Sequence, residues 1–317
     1  MSTPALTRPS GLSRLAQELL PVLYQHRLLT AEQLTRLLRP TAATSRYVRK
    51  QLLQLQTHDL AHATCRRHSR AGELLWYITP LGADAVEAGR ELPTRPYQMT
   101  SQAAASAVQE HTLAVNDTAL AFVAHARRLG DGCGPLSWDM EVAHRVRDGN
   151  TRSGDEAWLT PDAVLHYTHT TPGGERMLLD FFVEVDRATM PVARLAAKLH
   201  AYARYATYIP QPAPGARHST TASALVQEAW RERYRAFPRL LLVLTGAPPH
   251  TLATRALDLR ALAAADPRLQ RAAAQLRAGV TSLDLLTCHG PFADIVTPLL
   301  GPDTPTTVLL PAPAVSA

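Results

Sequence analysis

The stretch Leu178–Thr189, LLDFFVEVDRAT, places two acidic residues at the end of an otherwise apolar run. A continuous apolar run of this length predicts a buried strand. Side chains alternate between the two faces of a strand, so Phe182, Glu184 and Asp186 share one face. Burial of two like charges on one face is costly unless a cation lies between them, and hard oxygen ligands suit Mg²⁺ or Mn²⁺. The stretch therefore predicts a strand that carries a metal site.

A third carboxylate, that of Asp162, lies at the start of the strand that precedes the acidic strand in the chain. The segment PDAVLHYTHT predicts a strand, and the turn PGGER that follows would join it to the acidic strand as an antiparallel hairpin. The start of one strand then lies beside the end of the other, which brings Asp162 close to Glu184 and Asp186. Glu141, on an earlier predicted strand, is a further candidate ligand, although a glutamate on an edge strand that faces water fits equally well.

The charge of the chain is unevenly distributed. The 317 residues carry a formal net charge of +6, and residues 1–97 hold 13 Lys+Arg against 7 Asp+Glu, whereas residues 98–317 hold 20 of each. This asymmetry indicates a nucleic-acid-facing module at the N-terminal end.

Composition also limits the location and the cofactors of the protein. No stretch reaches the roughly 18 uninterrupted apolar residues of a membrane span, and the first residues lack the apolar core of a signal peptide. Three scattered cysteines indicate a reducing compartment and disfavour a zinc site. We therefore expect a cytoplasmic protein that does not enter the membrane.

The first 90 residues predict three helices followed by a β-hairpin. LSRLAQELLPVLYQH carries a helical apolar stripe, Thr30 and Gln33 form a capping-box pattern, and a third helix is expected from near Thr41. The outward face of that helix carries Ser45, Arg46, Arg49 and Lys50, and its inward face carries Val48, Leu52, Leu53 and Leu55. LAHATCRR and ELLWYITP then flank a polar turn that contains glycine, a pattern typical of a hairpin.

This order of elements resembles the winged helix-turn-helix over residues 12–90. The resemblance implies that the third helix enters the major groove of double-stranded DNA while the hairpin lies along the backbone. Arginine and lysine donors suit guanine edges and phosphates, and the candidate DNA-binding residues are Ser45, Arg46, Arg49, Lys50, Arg66, Arg67 and Arg70. A solvated basic helix in a protein–protein module is the alternative, because winged helices also form homodimers.

The rest of the chain predicts a second domain. Residues 91–107, rich in proline, small and polar residues, predict a linker. Residues 108–300 predict an α/β (α+β) domain with the order helix, three strands, helix, strand, helix and strand, the last strand being VTSLDLLTC. Residues 301–317, rich in proline and threonine, predict a flexible tail.

Pro161-Asp162 followed by Glu184-Val185-Asp186 on consecutive strands behind a helix resembles the PD-(D/E)XK restriction-endonuclease-like core, a central mixed sheet flanked by helices. Combined with the winged helix, three further motifs resemble the replication-relaxation proteins of plasmids and integrative elements over residues 12–250. These motifs are His111-Thr-Leu-Ala-Val-Asn116-Asp117, Trp138-x-x-Glu141 and Lys198-x-x-x-Tyr202.

The resemblance implies a nuclease or relaxase-like enzyme of plasmid or mobile-element DNA. Mg²⁺ or Mn²⁺ held by Asp162 and Glu184 would activate water for attack on a phosphodiester. The nuclease pattern has a lysine where Asp186 stands, so either Lys198 replaces it from the next helix, or Asp186 is itself a ligand and Arg187 stabilises the phosphate. Candidate accessory residues are His111, Asn116, Arg187 and Tyr202, and helix or core packing is the alternative for His111 and Tyr202.

Two functions follow from these patterns. The first is a metal-dependent DNA-processing nuclease with double-stranded DNA, and also single-stranded DNA stacked on tyrosines such as Tyr202, as its partner. The second is a catalytically inactive, sequence-specific DNA-binding protein that acts in replication, copy control or transcription. Residue Asp186, at the lysine position of the nuclease pattern, separates the two.

Overall fold

The computed structural model describes residues 11–67, 69, 71–90, 92–95, 99–106, 108–148, 157–171, 173–211 and 227–310. The fold is mixed α/β, as the sequence predicts. The chain divides into two compact units, of which the first comprises Met1–Ala124 and Cys133–Asp139, and the second comprises His125–Gly132 and Met140–Ala317.

The first unit contains helices around a small antiparallel sheet. Its elements are α1 (Arg14–His26), β1 (Leu29–Thr30), α2 (Ala31–Leu38), α3 (Arg46–Thr57), β2 (Ala61–Cys65), β3 (Leu74–Ile78), α4 (Pro80–Ala88) and α5 (Ser101–Ala104). The strand order is β1-β3-β2, and β3 pairs antiparallel with both neighbours. The three helices and the hairpin expected from the sequence are therefore present.

Helix starts in this unit follow their capping residues. The Thr30 hydroxyl accepts a hydrogen bond from the Gln33 N–H at 3.0 Å, and the Gln33 side chain accepts one from the Thr30 N–H at 3.1 Å. This reciprocal pair is the predicted capping box, and it satisfies two N–H groups at the start of α2.

Two predictions about the third helix were wrong. α3 begins at Arg46 and not near Thr41, because the chain first turns with an Ala42 N–H to Arg39 carbonyl hydrogen bond of 2.9 Å. Leu53, expected to face inward, is 53% exposed. The buried stripe is already filled by Val48, Leu52 and Leu55, and the residue after Leu52 lies about 100° away around the helix.

The first compact unit extends beyond the domain boundary that the sequence predicts. The long helix α6 (Gln109–Leu129) was assigned to the second domain, with a linker at 91–107, but the first unit extends to Ala124. Leu113 of α6 packs with Leu28 in one apolar cluster, and Gln33 donates to the Leu113 carbonyl at 3.0 Å. These contacts over about 80 residues of chain have no local sequence signal.

The remaining elements build a larger mixed sheet with helices. They are β4 (Trp138–Met140), β5 (His144–Arg145), β6 (Trp158–Leu159), β7 (Ala163–Thr170), β8 (Arg176–Asp186), α7 (Val192–Thr207), a 3₁₀ turn (Ala229–Glu232), β9 (Arg239–Leu244), α8 (Pro249–Ala265), α9 (Pro267–Ala272), β10 (Ala278–Ser282), α10 (Leu283–His289) and β11 (Thr297–Pro298). Six strands lie in the order β11-β10-β9-β8-β7-β4, and β5 pairs with β6. β9 is parallel to β8 and β10, whereas β7 and β11 are antiparallel to their partners β8 and β10.

The hairpin expected from PGGER is present. β7 and β8 pair antiparallel from Ala163 opposite Val183 to Thr170 opposite Arg176. The apolar residues of β8 from Leu179 onward are buried, whereas Met177 and Leu178 at its start are exposed. Phe182 packs in the core of the second unit with Leu199 of α7 and Leu259 of α8. The acidic end of β8 is thus held between a partner strand on each side, β7 and β9.

Two predicted strands of this unit are interrupted. The stretch LSWDMEVAHRV forms β4 and β5, and Glu141 between them has a φ of 49°, which breaks the extended backbone. VTSLDLLTC is a strand only as far as Ser282, whose hydroxyl accepts from the Leu285 N–H at 3.2 Å and so begins α10. A cap within an apolar run converts the second half into a helix.

Residues 301–310, the first part of the predicted flexible tail, lie within the described structure. Val308 and Leu310 are buried, and Val296 and Thr306 form a bridge with hydrogen bonds of 2.9 and 2.8 Å. The side chains of Val296 and Leu310 lie against Gly279, so the chain is packed as far as Leu310. The last seven residues of the predicted tail, 311–317, lie outside the described residues.

Among the described residues, no helix is long and apolar enough to cross a bilayer.

Candidate functional site

The β7–β8 hairpin brings Asp162 and Glu184 together. Asp162 directly precedes β7, and extension of the register from Ala163 opposite Val183 places it opposite Glu184. Directly opposite residues of an antiparallel pair lie on the same face of the sheet. The Asp162 Oδ2 atom accepts a hydrogen bond from the Val185 N–H at 2.7 Å, which fixes this carboxylate at the end of β8.

Glu184 is buried, with only 3% of the residue exposed, and two side chains of α7 contact its carboxylate. The Lys198 ammonium donates to Oε2 at 2.6 Å, and the Tyr202 hydroxyl donates to Oε1 at 2.6 Å. Residues four apart on a helix lie on the same face. α7 therefore presents one cation and one hydroxyl to Glu184. This contact of Lys198 favours the first of the two alternatives for the missing lysine.

The surroundings of Glu184 destabilise the ionised form of its carboxylate. Burial, and secondly the charge of Asp162, raise the pKa of Glu184 from its ordinary value of 4.5 to about 7, although Lys198 and Tyr202 oppose the rise. Burial alone would lower the pKa of Lys198, but the opposite charge of the Glu184 carboxylate has the larger effect, and the pKa of Lys198 is raised. The lysine therefore stays charged while the glutamate is close to losing its charge.

Asp186 lies on the same face of β8 but takes a different partner. It is 5% exposed, and its Oδ2 atom accepts a hydrogen bond from the Arg255 Nε–H of α8. A second guanidinium nitrogen of Arg255 donates to the Met190 carbonyl. The carboxylate at the lysine position of the nuclease pattern is thus neutralised by the half-buried Arg255.

This pairing changes the predicted metal site. In the described part of the chain, no group of three or more His, Cys, Asp or Glu side chains is arranged to hold a metal ion. A site with Asp162, Glu184 and Asp186 as joint ligands is therefore not assembled, because Asp186 is bound to Arg255. Asp162 and Glu184 remain as a pair of carboxylates.

Two further predicted residues flank this pair. Glu141 is exposed one residue after β4, and its N–H donates to the Asp162 carbonyl at 3.2 Å. Arg187 is partly exposed directly after β8, and its carbonyl lies so close to Gly246 that a Cβ there would approach it to 2.9 Å. The backbone of Glu141 therefore lies beside Asp162, and Arg187 follows the acidic end of β8 in the chain.

Asn116 is a packing residue of the first unit. Its amide donates to the carbonyls of His26 at 3.3 Å and Leu28 at 3.0 Å, and its oxygen accepts from the Trp138 indole at 3.1 Å. The side chain is fully buried. These bonds use its hydrogen-bonding groups within the unit, which favours packing over the accessory role expected for it. His111 lies half-buried on the same helix.

The exposed face of α3 carries the predicted cations. Arg46, Arg49 and Lys50 are exposed, and Ser45 stands at the N-cap position of the helix without a capping hydrogen bond. They line a groove of about 940 Å³ between α2 and α3, which also contains Arg36. A basic concave surface of this kind suits an extended anion.

The basic residues of the hairpin differ from one another. Arg66 makes two hydrogen bonds of 2.7 Å to Glu110 and one of 2.8 Å to Glu73. Arg67 is exposed. Arg70 lies outside the described residues. Arg66 therefore joins the hairpin to α6, and Arg67 is a hairpin cation that faces solvent.

The family assignment follows from a comparison with protein-family models. The model described as Replication-relaxation matches residues 20–220. The chain belongs to the replication-relaxation family. No curated protein and no solved structure matches the chain.

The replication-relaxation match covers the groove-lining helix α3 and the cluster of Asp162, Glu184 and Lys198. Membership indicates a role in the replication or mobilisation of plasmids or mobile elements, together with an interaction with DNA. Arg255 lies beyond the matched region. Sequence reasoning missed this arginine, and the only available signal was that a buried Asp186 requires a counter-ion.

Proposed function

We propose that this replication-relaxation protein binds double-stranded DNA and cuts or nicks it with a metal-dependent site of the PD-(D/E)XK type. The observation that carries the proposal is the cluster in the second unit. Asp162 stands opposite Glu184, and the Lys198 ammonium lies 2.6 Å from the Glu184 carboxylate. The three side-chain types of the nuclease pattern thus meet, with the lysine supplied by α7.

Two carboxylates are sufficient ligands for the expected cation. Mg²⁺ keeps several waters and is commonly bound by one or two carboxylates together with substrate phosphates. Asp162 and Glu184 would hold the cation, and the backbone of Glu141 lies beside Asp162. A divalent cation bound there would polarise a phosphoryl oxygen and lower the pKa of water for attack.

The chain's own residues would then position and neutralise the reacting groups. The Lys198 ammonium would stabilise the negative charge that develops on the phosphate. Tyr202 holds one Glu184 oxygen by its 2.6 Å hydrogen bond and fixes the orientation of the carboxylate. Arg255 cancels the charge of Asp186, which limits the repulsion of a DNA phosphate from this edge of the sheet.

The element order of the first unit supports DNA binding through a winged helix-turn-helix. α1, β1, α2, α3 and the β2–β3 hairpin follow one another in the order of that fold, with the strand order β1-β3-β2. α3 would enter the major groove, where Arg46, Arg49 and Lys50 would donate to guanine edges and phosphates. Arg67 of the hairpin would contact the backbone.

A second candidate is a DNA-binding replication or copy-control factor without nuclease activity. It is favoured by one observation, which is that an aspartate occupies the lysine position and is bound by Arg255. In that case the Lys198–Glu184 pair would only stabilise the fold. Both candidates share the DNA-binding surface of α3.

Nicking of supercoiled plasmid DNA separates the two candidates. The plasmid would carry DNA from the mobile element that encodes the protein, and the full chain would be incubated with Mg²⁺, Mn²⁺ or EDTA. The proposal predicts nicked or linear product with a metal and none with EDTA. Salt-sensitive binding without any product, in both metals, would support the inactive DNA-binding factor instead.

A further inference from the structure

Arg255 joins three segments around the candidate site. One guanidinium nitrogen contacts the Asp186 carboxylate at the end of β8, and another contacts the Met190 carbonyl in the loop before α7. The Arg255 side chain is 12% exposed and that of Asp186 is 4% exposed. A guanidinium presents several donors in a rigid fork, so it can fix both partners at once.

The loop that Arg255 holds determines where α7 begins. Asp186 ends β8, Ala188 has a φ of 56°, and α7 begins at Val192. A positive φ at an alanine costs free energy and persists only where the surroundings impose it. The contact of Arg255 with the Met190 carbonyl is part of that constraint, so Arg255 contributes to the placement of the helix that carries Lys198.

Asp186 would compete for the same lysine if it were not paired. It lies two residues after Glu184 on the same face of β8, and its charge acts on Lys198 together with the charges of Glu184 and Asp162. An ammonium placed between several carboxylates has no single preferred partner. Because Arg255 neutralises Asp186, Glu184 remains the partner of Lys198 at 2.6 Å.

We infer that Arg255 is a positioning residue of the candidate nuclease site: it neutralises Asp186 and anchors the loop before α7, which keeps Lys198 on Glu184. This inference rests on the proposed function for its catalytic consequence. Asp186 then serves as the anchor of Arg255 and not as a metal ligand. Asp186 and Arg255 together leave no net charge at the position where the nuclease pattern has its lysine, and Lys198 supplies the cation instead.

The sequence offers a direct probe of this arrangement. The chain has only two lysines, Lys50 and Lys198. Selective ¹³Cε-lysine labelling of the full chain therefore gives two lysine signals in NMR spectra, and Lys50→Arg assigns them. Spectra of the metal-free protein at one fixed pH would be compared for wild type, Arg255→Met and the double variant Arg255→Met with Asp186→Asn.

The inference predicts that Arg255→Met shifts the Lys198 signal and leaves the Lys50 signal unchanged. The double variant, which has no unpaired carboxylate at position 186, should return the Lys198 signal towards its wild-type position. An unchanged Lys198 signal in folded Arg255→Met would overturn the inference. If the single variant fails to fold by circular dichroism, the double variant decides, because it lacks the Met190 contact but carries no charge at position 186. A Lys198 signal displaced in that folded protein as far as in Glu184→Gln, which removes the partner carboxylate, would show that charge neutralisation is not the role of Arg255.

Nicking rates provide the second readout. Displacement of a reacting group by about 1 Å costs about 100-fold in rate, so Arg255→Met should lose about that factor in kcat, and the double variant should recover most of it. A merely structural role predicts a lower melting temperature with kcat per folded molecule unchanged, which would overturn the inference. If the wild-type protein does not nick DNA, the proposed function fails, whereas the lysine signals still decide the role of Arg255.

Discussion

Replacement of Glu184 with glutamine should change how the stability of the protein depends on pH. The pKa of Glu184 rises from 4.5 to about 7 because burial, and then the charge of Asp162, disfavour the ionised carboxylate. A group with a raised pKa contributes stability that is fully present below its unfolded pKa and is lost as pH rises through its folded pKa. Glutamine resembles the protonated form at every pH, so Glu184→Gln should not show this loss.

The magnitude follows from the rise in pKa. At about 1.36 kcal/mol per pKa unit, the rise corresponds to about 3 kcal/mol in the free energy of unfolding. Most of it, about 2 to 3 kcal/mol, should be lost between about pH 5 and about pH 8 in the wild type. Relative to the wild type, Glu184→Gln should therefore gain about that amount of stability over the same interval.

Urea unfolding of both proteins at the two pH values measures this difference. Buried histidines such as His26 and His144 titrate alike in both proteins, so their contributions cancel in the comparison. Asp258→Asn on the exposed face of α8 is a matched control, whereas Asp180 of β8 is bonded to His166, and a carboxylate–histidine pair itself depends on pH in this interval. The free energy of unfolding would be compared between wild type and Glu184→Gln at each pH. If this difference is equal at both pH values, the ionised form of Glu184 is not destabilised as described, and the reasoning is refuted.

Three further results are expected. Arg46→Ala combined with Arg49→Ala should weaken DNA binding and reduce the slope of log affinity against log salt by about 0.9 per lost phosphate contact, whereas Arg271→Ala on α9 should leave both unchanged in gel-shift titrations. Asn116→Leu should lower the free energy of unfolding by about 3 kcal/mol, because it leaves buried carbonyl and indole groups unpaired; a loss below the error of urea titration would contradict the contacts. Burial, and then the charge of a nearby arginine, lower the pKa of His144 to about 4, so stability is lost as pH falls from about 6.5 through about 4. His144→Phe should reduce that loss of stability. The same dependence of the free energy of unfolding on acid pH in wild type and variant would count against this role of His144.

Which residues share a face of β8, and which strand pairs with it, could be predicted from the sequence because both follow from local rules. Alternation along a strand put Glu184 and Asp186 on one side, and the short turn of the hairpin set Asp162 opposite Glu184. The helical spacing of four residues likewise predicted that Lys198 and Tyr202 share a face. Each of these rules needs only a few residues of neighbouring sequence.

The partner of Asp186 was not predictable in the same way. Arg255 is separated from it by 69 residues, and nothing in the helical pattern of α8 distinguishes this arginine from a solvated one. The same applies to Asn116, whose bonds to residues 88 and 90 positions earlier assign it to packing. Long-range polar contacts depend on how elements pack, and the sequence carries no period that reports them.

In the proposed function, Asp162, Glu184 and Lys198 form a metal-dependent site for phosphodiester cleavage. Its most direct test is the rate of plasmid nicking in Mn²⁺ for wild type, Asp162→Asn and the control Asp180→Asn, each checked for folding by circular dichroism. Wild type and Asp180→Asn should cleave the plasmid, and Asp162→Asn should not. Equal cleavage by all three folded proteins would contradict the proposed function.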